Sequence, residues 1–147
     1  MNKIELQKRT REFAKRVFKL TERLPHSQAA KVITYQLLKA ASSVAANYRA
    51  VNRAKSDDDF INKLKIVLEE ADESNFWLTF ISDIELLNQD DPELLSLIKE
   101  SDEFIAIFTA STKTMSLKDL NQNLNLLNQK RKIHWHKPNR SPINQKS

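Results

Sequence analysis

Glycine and cysteine are both absent from this 147-residue chain, and each absence removes a class of structure. Average usage of about 7% would supply roughly ten glycines, the residues that accept positive φ and close backbone approach most cheaply. Tight β-hairpins and glycine-rich phosphate loops are therefore not expected. Without cysteine there is neither a disulfide framework nor a thiolate metal site, which suits a reducing compartment. Proline is scarce: Pro25, Pro92, Pro138 and Pro142 leave the stretch from His26 to Asp91 free of helix breakers. No apolar run approaches the ~20 residues of a membrane span, and the opening residues Met1 to Glu5 carry no apolar signal core. The sequence reads as all-helical, soluble and cytoplasmic, and its length fits one domain with a real core.

Charge is present but segregated. From Met1 to Ser56 there are thirteen Lys/Arg against three Asp/Glu; from Asp57 to Ser116, four against fifteen; from Leu117 to Ser147, seven against one. The overall net charge of +5 thus conceals a basic first half, an acidic second half and a basic end, so that one side of a helical bundle is basic and the other acidic.

Apolar spacing predicts four helices. The first runs from about Ile4 to Leu24, with Leu6, Phe13, Val17, Leu20 and Leu24 on one side and a crowd of cations, among them Lys8, Arg9, Arg11, Lys15 and Arg16, on the other. That basic face is either an ordinary solvated surface or a footprint for phosphate. Ser27 caps a second helix reaching about Ala54, with Ile33, Leu37, Ala40, Val44, Tyr48 and Val51 on its buried stripe and a thin, alanine-rich middle. Arg49, Arg53 and Lys55 gather at its end, where cations suit the helix dipole.

Ser56 and Asp59 form a capping pair for a third helix from Asp57 to about Leu87. The three consecutive aspartates are capping residues and not an EF-hand. This helix carries two apolar seams, Phe60, Leu64, Val67, Ala71, Ser74, Leu78 and Ile81, and then Ile66, Glu73, Trp77, Phe80, Ile84 and Leu87. The second seam points either to a subunit contact or to a wide internal core. The carboxylates Glu69, Glu70, Asp72 and Glu73 lack the Glu-x-x-His elements of a di-iron bundle. They are expected to pair with Arg49, Arg53 or lysines, within the chain or across a subunit boundary.

Asp91, Pro92 and Glu93 start a fourth helix that ends near Ser116, giving a bundle domain over residues 1–116. Ser116 and Asp119 could open a short fifth helix in the extension 117–147. Lys130 onward is expected to be a mobile basic tail. There Lys130, Arg131, Lys132 and Trp135 suit single-stranded nucleic acid, with ring stacking beside cations, unless the terminus is unselected or Trp135 docks on the bundle. His134 and His136 flank that tryptophan, a weak metal signature.

The central residues carry a resemblance. Asn47-Tyr48-Arg49, Arg53-Ala54-x-Ser56, Asp59-Phe60-Ile61-x-Lys63, Glu70-Ala71-Asp72-Glu73-Ser74 and Trp77-Leu78 are similar to the four-helix-bundle proteins encoded within 23S rRNA intervening sequences. The likeness is specific over Ser42 to Leu87 and extends by helix order over Ile4 to Ser116. It implies an antiparallel bundle, assembly as a homopentamer, and a role beside RNA or DNA without enzymatic activity. A similar bundle serves diversity-generating retroelements as an accessory protein that binds nucleic acid and reverse transcriptase. The family pattern usually has Glu after Tyr-Arg, where this chain has Ala50.

The combined expectation is an up-down-up-down four-helix bundle, homo-oligomeric, with no cofactor or metal and no catalytic residues. The expected nucleic-acid contacts are Lys8, Arg9, Arg11, Lys15, Arg16, Arg49, Arg53, Lys130, Arg131, Lys132 and Trp135. The expected assembly residues are Tyr48, Glu70, Glu73 and Trp77. The alternative is a protein-interaction scaffold, for example an accessory subunit of a reverse transcriptase.

Overall fold

The computed structural model describes residues 1–135, with side chains through residue 133. Four helices make up the fold: α1 (Lys3–Thr21), α2 (Gln28–Val51), α3 (Asp57–Asp83) and α4 (Pro92–Trp135). Each begins at a side chain that accepts from an otherwise unpaired first-turn N–H. Asn2 Oδ1 accepts from the Glu5 N–H at 2.8 Å, Ser27 Oγ from Ala30 at 3.2 Å, Ser56 Oγ from Asp59 at 3.1 Å and Asp91 Oδ1 from Leu94 at 3.0 Å. Asp59 reaches back to the Lys55 N–H at 3.1 Å and along its own helix to Lys63 at 2.6 Å.

Residue pairings show which helices lie side by side. On α1 and α2, Gln7 meets Asn52; between α3 and α4, Asn75 Nδ2 donates to Ser101 and Asp102, each at 2.9 Å. Between α1 and α4, Arg9 meets Glu100 and Arg23 meets Asp91. From Arg9 to Arg23 the partner number falls from Glu100 to Asp91, so α4 runs antiparallel to α1.

The apolar stripes read from the sequence form the core. All five expected α1 residues and all six expected α2 residues are buried. On α3 the buried seam is Ile61, Leu64, Val67, Ala71, Ser74, Leu78 and Ile81. Ile61 therefore takes the place expected for Phe60, which is half-buried with Lys3 over its ring at 5.8 Å. An aromatic chain crosses the middle: Phe13 meets Phe104 edge-on at 5.4 Å, Phe104 stacks on Phe108 at 5.9 Å, and Tyr48 lies 5.6 Å from Phe108.

Two expected boundaries change. The third helix stops at Asp83 because Glu85 takes a left-handed conformation, φ 57°. The Leu86 N–H then reaches the Ile81 carbonyl and the Glu85 N–H reaches Ser82, both at 3.1 Å, a Schellman ending that usually employs glycine. Since the chain has none, a Cβ-bearing residue takes the strained position. Glu85→Gly is expected to raise the unfolding free energy by about 0.5 to 1 kcal/mol after glycine's entropic cost, measured as a higher urea midpoint with unchanged slope.

The second change is larger. The expected fifth helix is the uninterrupted continuation of α4, and Lys130 to Trp135 are helical rather than tail-like. No helix breaker lies between Pro92 and Pro138, and the Ser116/Asp119 pattern sits inside the helix. From Leu117 to Ile133 every residue except Asp119 is exposed. Gln122 and Asn123 still border Ser56 and Asp58 at the start of α3; at ~1.5 Å per residue, the described helix beyond them extends about 18 Å further.

Candidate nucleic-acid interface

Helix α1 presents its cations in two registers. Residues seven apart return to nearly one face of a helix, and Arg9, Arg16 and Arg23 are so spaced. All three face α4. Arg9 donates to Glu100 and, at 2.7 Å, to Glu103, with its guanidinium 5.3 Å from the Phe104 ring centroid. Arg16 Nε donates to Glu93 at 2.7 Å and its Nη2 to Ser96 Oγ at 2.7 Å. Arg23 pairs with Asp91 through two bonds, one of 3.2 Å. Part of the segregated charge is therefore neutralised within the chain, between α1 and α4.

The hydrogen bond to Glu100 holds the Arg9 guanidinium protonated more firmly than usual, against the opposing effect of burial. The hydrogen bond from Arg23, with the Leu94 N–H, holds the Asp91 carboxyl below the ordinary carboxylate range. A depressed carboxyl pKa in the folded state contributes stability that is complete above the unfolded value, about 3.9. That contribution is lost as pH falls through the folded value. Asp91→Asn keeps a good N-cap but removes the charge. It is expected to lower the urea midpoint at neutral pH and to leave a shallower acid-side decline, read by titrating the midpoint from about pH 6 to pH 2.

The other register of α1 is differently engaged. Arg11, Lys15 and Lys19 line an open groove between α1 and α2 of about 560 Å³, with Arg49 facing them from α2. Its lining is completed largely by Ala14, Phe18, Ala45 and Ala46. The groove exists because the thin middle of α2 offers only the short side chains of Ser42, Ala45 and Ala46 there, leaving open the space above Phe18, itself 46% exposed. Lys15 reaches Glu12 one turn back at 3.2 Å, both largely exposed, a pair of little strength. Arg11, Lys19 and Arg49 have no ion pair among the described residues.

The family model for 23S rRNA-intervening sequence proteins matches residues 2–110, the span that contains this groove. The chain belongs to that family. A solved structure from the S23 ribosomal protein family of Bacteroides thetaiotaomicron VPI-5482, a protein of unknown function, is 31% identical with a TM-score of 0.68. The match covers 77% of this chain and 99% of that one. No curated protein matches. The family span ends before the projecting part of α4, so Lys130, Arg131 and Lys132 lie outside it.

The remaining candidates are dispersed. Lys8 is exposed beside a shallow cleft near the N-terminus. Arg53 follows α2, its N–H bonded to the Ala50 carbonyl at 3.0 Å, away from the groove. Lys130, Arg131 and Lys132 are exposed on the last turns of α4, which ends at Trp135; His136 lies outside the described residues. Arg9 and Arg16 are redirected from a free basic face to the α1–α4 seam, where the carboxylates of α4 compete for them. Tyr48 is redirected from assembly to the core, being 5% exposed against Phe108, and burial raises its hydroxyl pKa.

On α3 the candidates for assembly are outward or half-buried. Phe76, Trp77 and Phe80 form one aromatic cluster, with Phe76 54% exposed. The Trp77 indole N–H is enclosed without an acceptor among the described residues. Glu69, Glu70 and Glu73 have no ion pair among the described residues, so the expected pairing with Arg49 or Arg53 does not occur within the chain. Burial and the neighbouring Glu73 charge push the Glu70 carboxyl up, against a weaker opposing pull from Lys39. Among the described residues no group of His, Cys, Asp or Glu is placed to hold a metal, and no helix is long and apolar enough to cross a membrane.

Lys19 belongs to the basic face read from the sequence, whereas Phe18 and the groove itself were passed over. The two registers of α1 cations were a usable signal, but separating paired from free arginines needs the α4 carboxylates, 68 to 94 positions away.

Proposed function

We propose that this protein is a non-enzymatic, homo-oligomeric RNA-associating bundle, with the α1–α2 groove as the phosphate-contacting surface. The observation that carries the reading is the contrast between two sets of cations on and beside α1. Arg9, Arg16 and Arg23 are committed to carboxylates of α4, whereas Arg11, Lys19 and Arg49 are left without ion pairs around a concave surface. Concave arrangements of one charge sign concentrate potential and favour polyanions. Membership of a family named for 23S rRNA intervening sequences makes structured RNA the first ligand to try.

Assembly uses the outer face of α3, where Phe76, Trp77 and Phe80 lie near unpaired carboxylates; the likeness noted above makes a pentamer the first stoichiometry to test. A ring would repeat the groove about its axis and multiply modest contacts into one strong site. The test is fluorescence anisotropy of a labelled structured RNA with the full-length protein at about 50 mM and about 200 mM salt. Saturable binding that weakens steeply with salt is expected. No binding at the lower salt would overturn the reading and favour an accessory subunit that meets a protein partner, such as a reverse transcriptase, through the α3 aromatics.

A further inference from the structure

The last part of α4, from Leu117 onward, carries an apolar stripe that stands exposed. Leu117, Leu120, Leu124 and Leu127 are each between 49% and 59% exposed, and their 3-4-3 spacing is that of the a and d positions of a coiled coil. The positions that would flank this seam are Ser116, Asn121, Asn123, Asn128 and Lys130. Four of the five are uncharged, so little on the flanks repels a second helix.

We propose that this stripe is an antiparallel pairing surface for the same helix of a second copy, distinct from any assembly through α3 and independent of RNA. The stripe is self-complementary about its midpoint at Gln122: Leu117 of one copy lies opposite Leu127 of the other, and Leu120 opposite Leu124. Charge selects the direction. A parallel pair would gather two sets of Lys130, Arg131 and Lys132 at one end. The antiparallel pair separates them and brings Lys130 of each copy beside the partner's Ser116. There a cleft between α3 and α4 is lined by Asp58, Asp119 and a single cation, Lys65, and Asp57 stands next to them, so carboxylates outnumber cations. None of these three aspartates has an ion pair among the described residues. Arg131 falls opposite Lys113 and ends the apolar seam, limiting the pairing to four leucine layers.

The absence of cysteine allows a direct test in the full-length protein. Two single variants, Leu117→Cys and Leu127→Cys, are mixed and mildly oxidised. A disulfide between the two different variants is expected to dominate. Predominant linking of Leu117→Cys to itself would indicate a parallel pair and overturn the proposal. Separately, Leu120→Glu with Leu124→Glu is expected to halve the mass in sedimentation equilibrium. The helix content should be unchanged, since glutamate is a good helix former. An unchanged mass would overturn the proposal, including the outcome in which the stripe instead contacts RNA and only RNA affinity falls.

Discussion

Phe104→Ala is expected to lower the unfolding free energy by about 3 to 5 kcal/mol, the usual range for truncating a fully buried phenylalanine. Phe104 is completely buried and meets three partners. Phe13 of α1 meets it edge-on at 90°, Phe108 stacks along α4, and the Arg9 guanidinium lies over its ring. Of the neighbouring helix pairs, α1 and α4 have the least close backbone approach, so their seam depends on long side chains reaching across. Removing the ring opens a cavity at the seam and leaves Arg9 with carboxylates but no aromatic support. At about 2 to 4 °C per kcal/mol for a chain of this size, the melting temperature should fall by roughly 10 °C. Urea titration followed by circular dichroism reads the loss directly. A loss below about 1 kcal/mol would mean that the seam collapses around the missing ring and that α1 is held by α2 alone.

Much of this architecture could be read from residue spacing, and the parts that could not have a common cause. Leu6, Phe13, Val17, Leu20 and Leu24 recur at helical intervals, and burial follows from that interval alone. Ser27, Ser56 and Asp91 are capping residues whose effect is local, so they marked helix starts correctly. Ser116 with Asp119 imitates the same signal, but a capping pair does not interrupt a helix when the preceding residues already continue it. The end of α3 was hidden for a related reason: its left-handed residue is Glu85, and without glycine in the chain the usual marker was missing. The groove was harder still, because it consists of space above Ala45 and Ala46. An alanine-rich stretch predicts close approach of a neighbour, and only the positions of α1 and α2 reveal that nothing occupies part of that face.

Reversing Arg11, Lys15 and Arg49 together to glutamate is expected to weaken RNA binding by on the order of 100-fold at about 50 mM salt. The slope of log affinity against log salt should be flattened by about 2 to 3, since each lost phosphate contact removes about 0.7 to 0.9. These three side chains rim the groove without supporting the core: all are exposed, and the sole ion pair among them is the weak Lys15–Glu12 contact. Exposed substitutions of this kind usually change stability by no more than about 0.5 kcal/mol, so a large change in affinity would report on binding and not on folding. Arg9→Met with Arg16→Met is the informative contrast. Those two arginines face Glu93, Glu100 and Glu103, so their removal should lower stability while leaving the salt slope nearly unchanged. The opposite pattern, with affinity lost in the Arg9 and Arg16 variant and retained in the groove variant, would show that RNA displaces the α4 carboxylates from α1. Loss only on neutralising Lys130, Arg131 and Lys132 would move the contact to the end of α4, outside the span shared with the family.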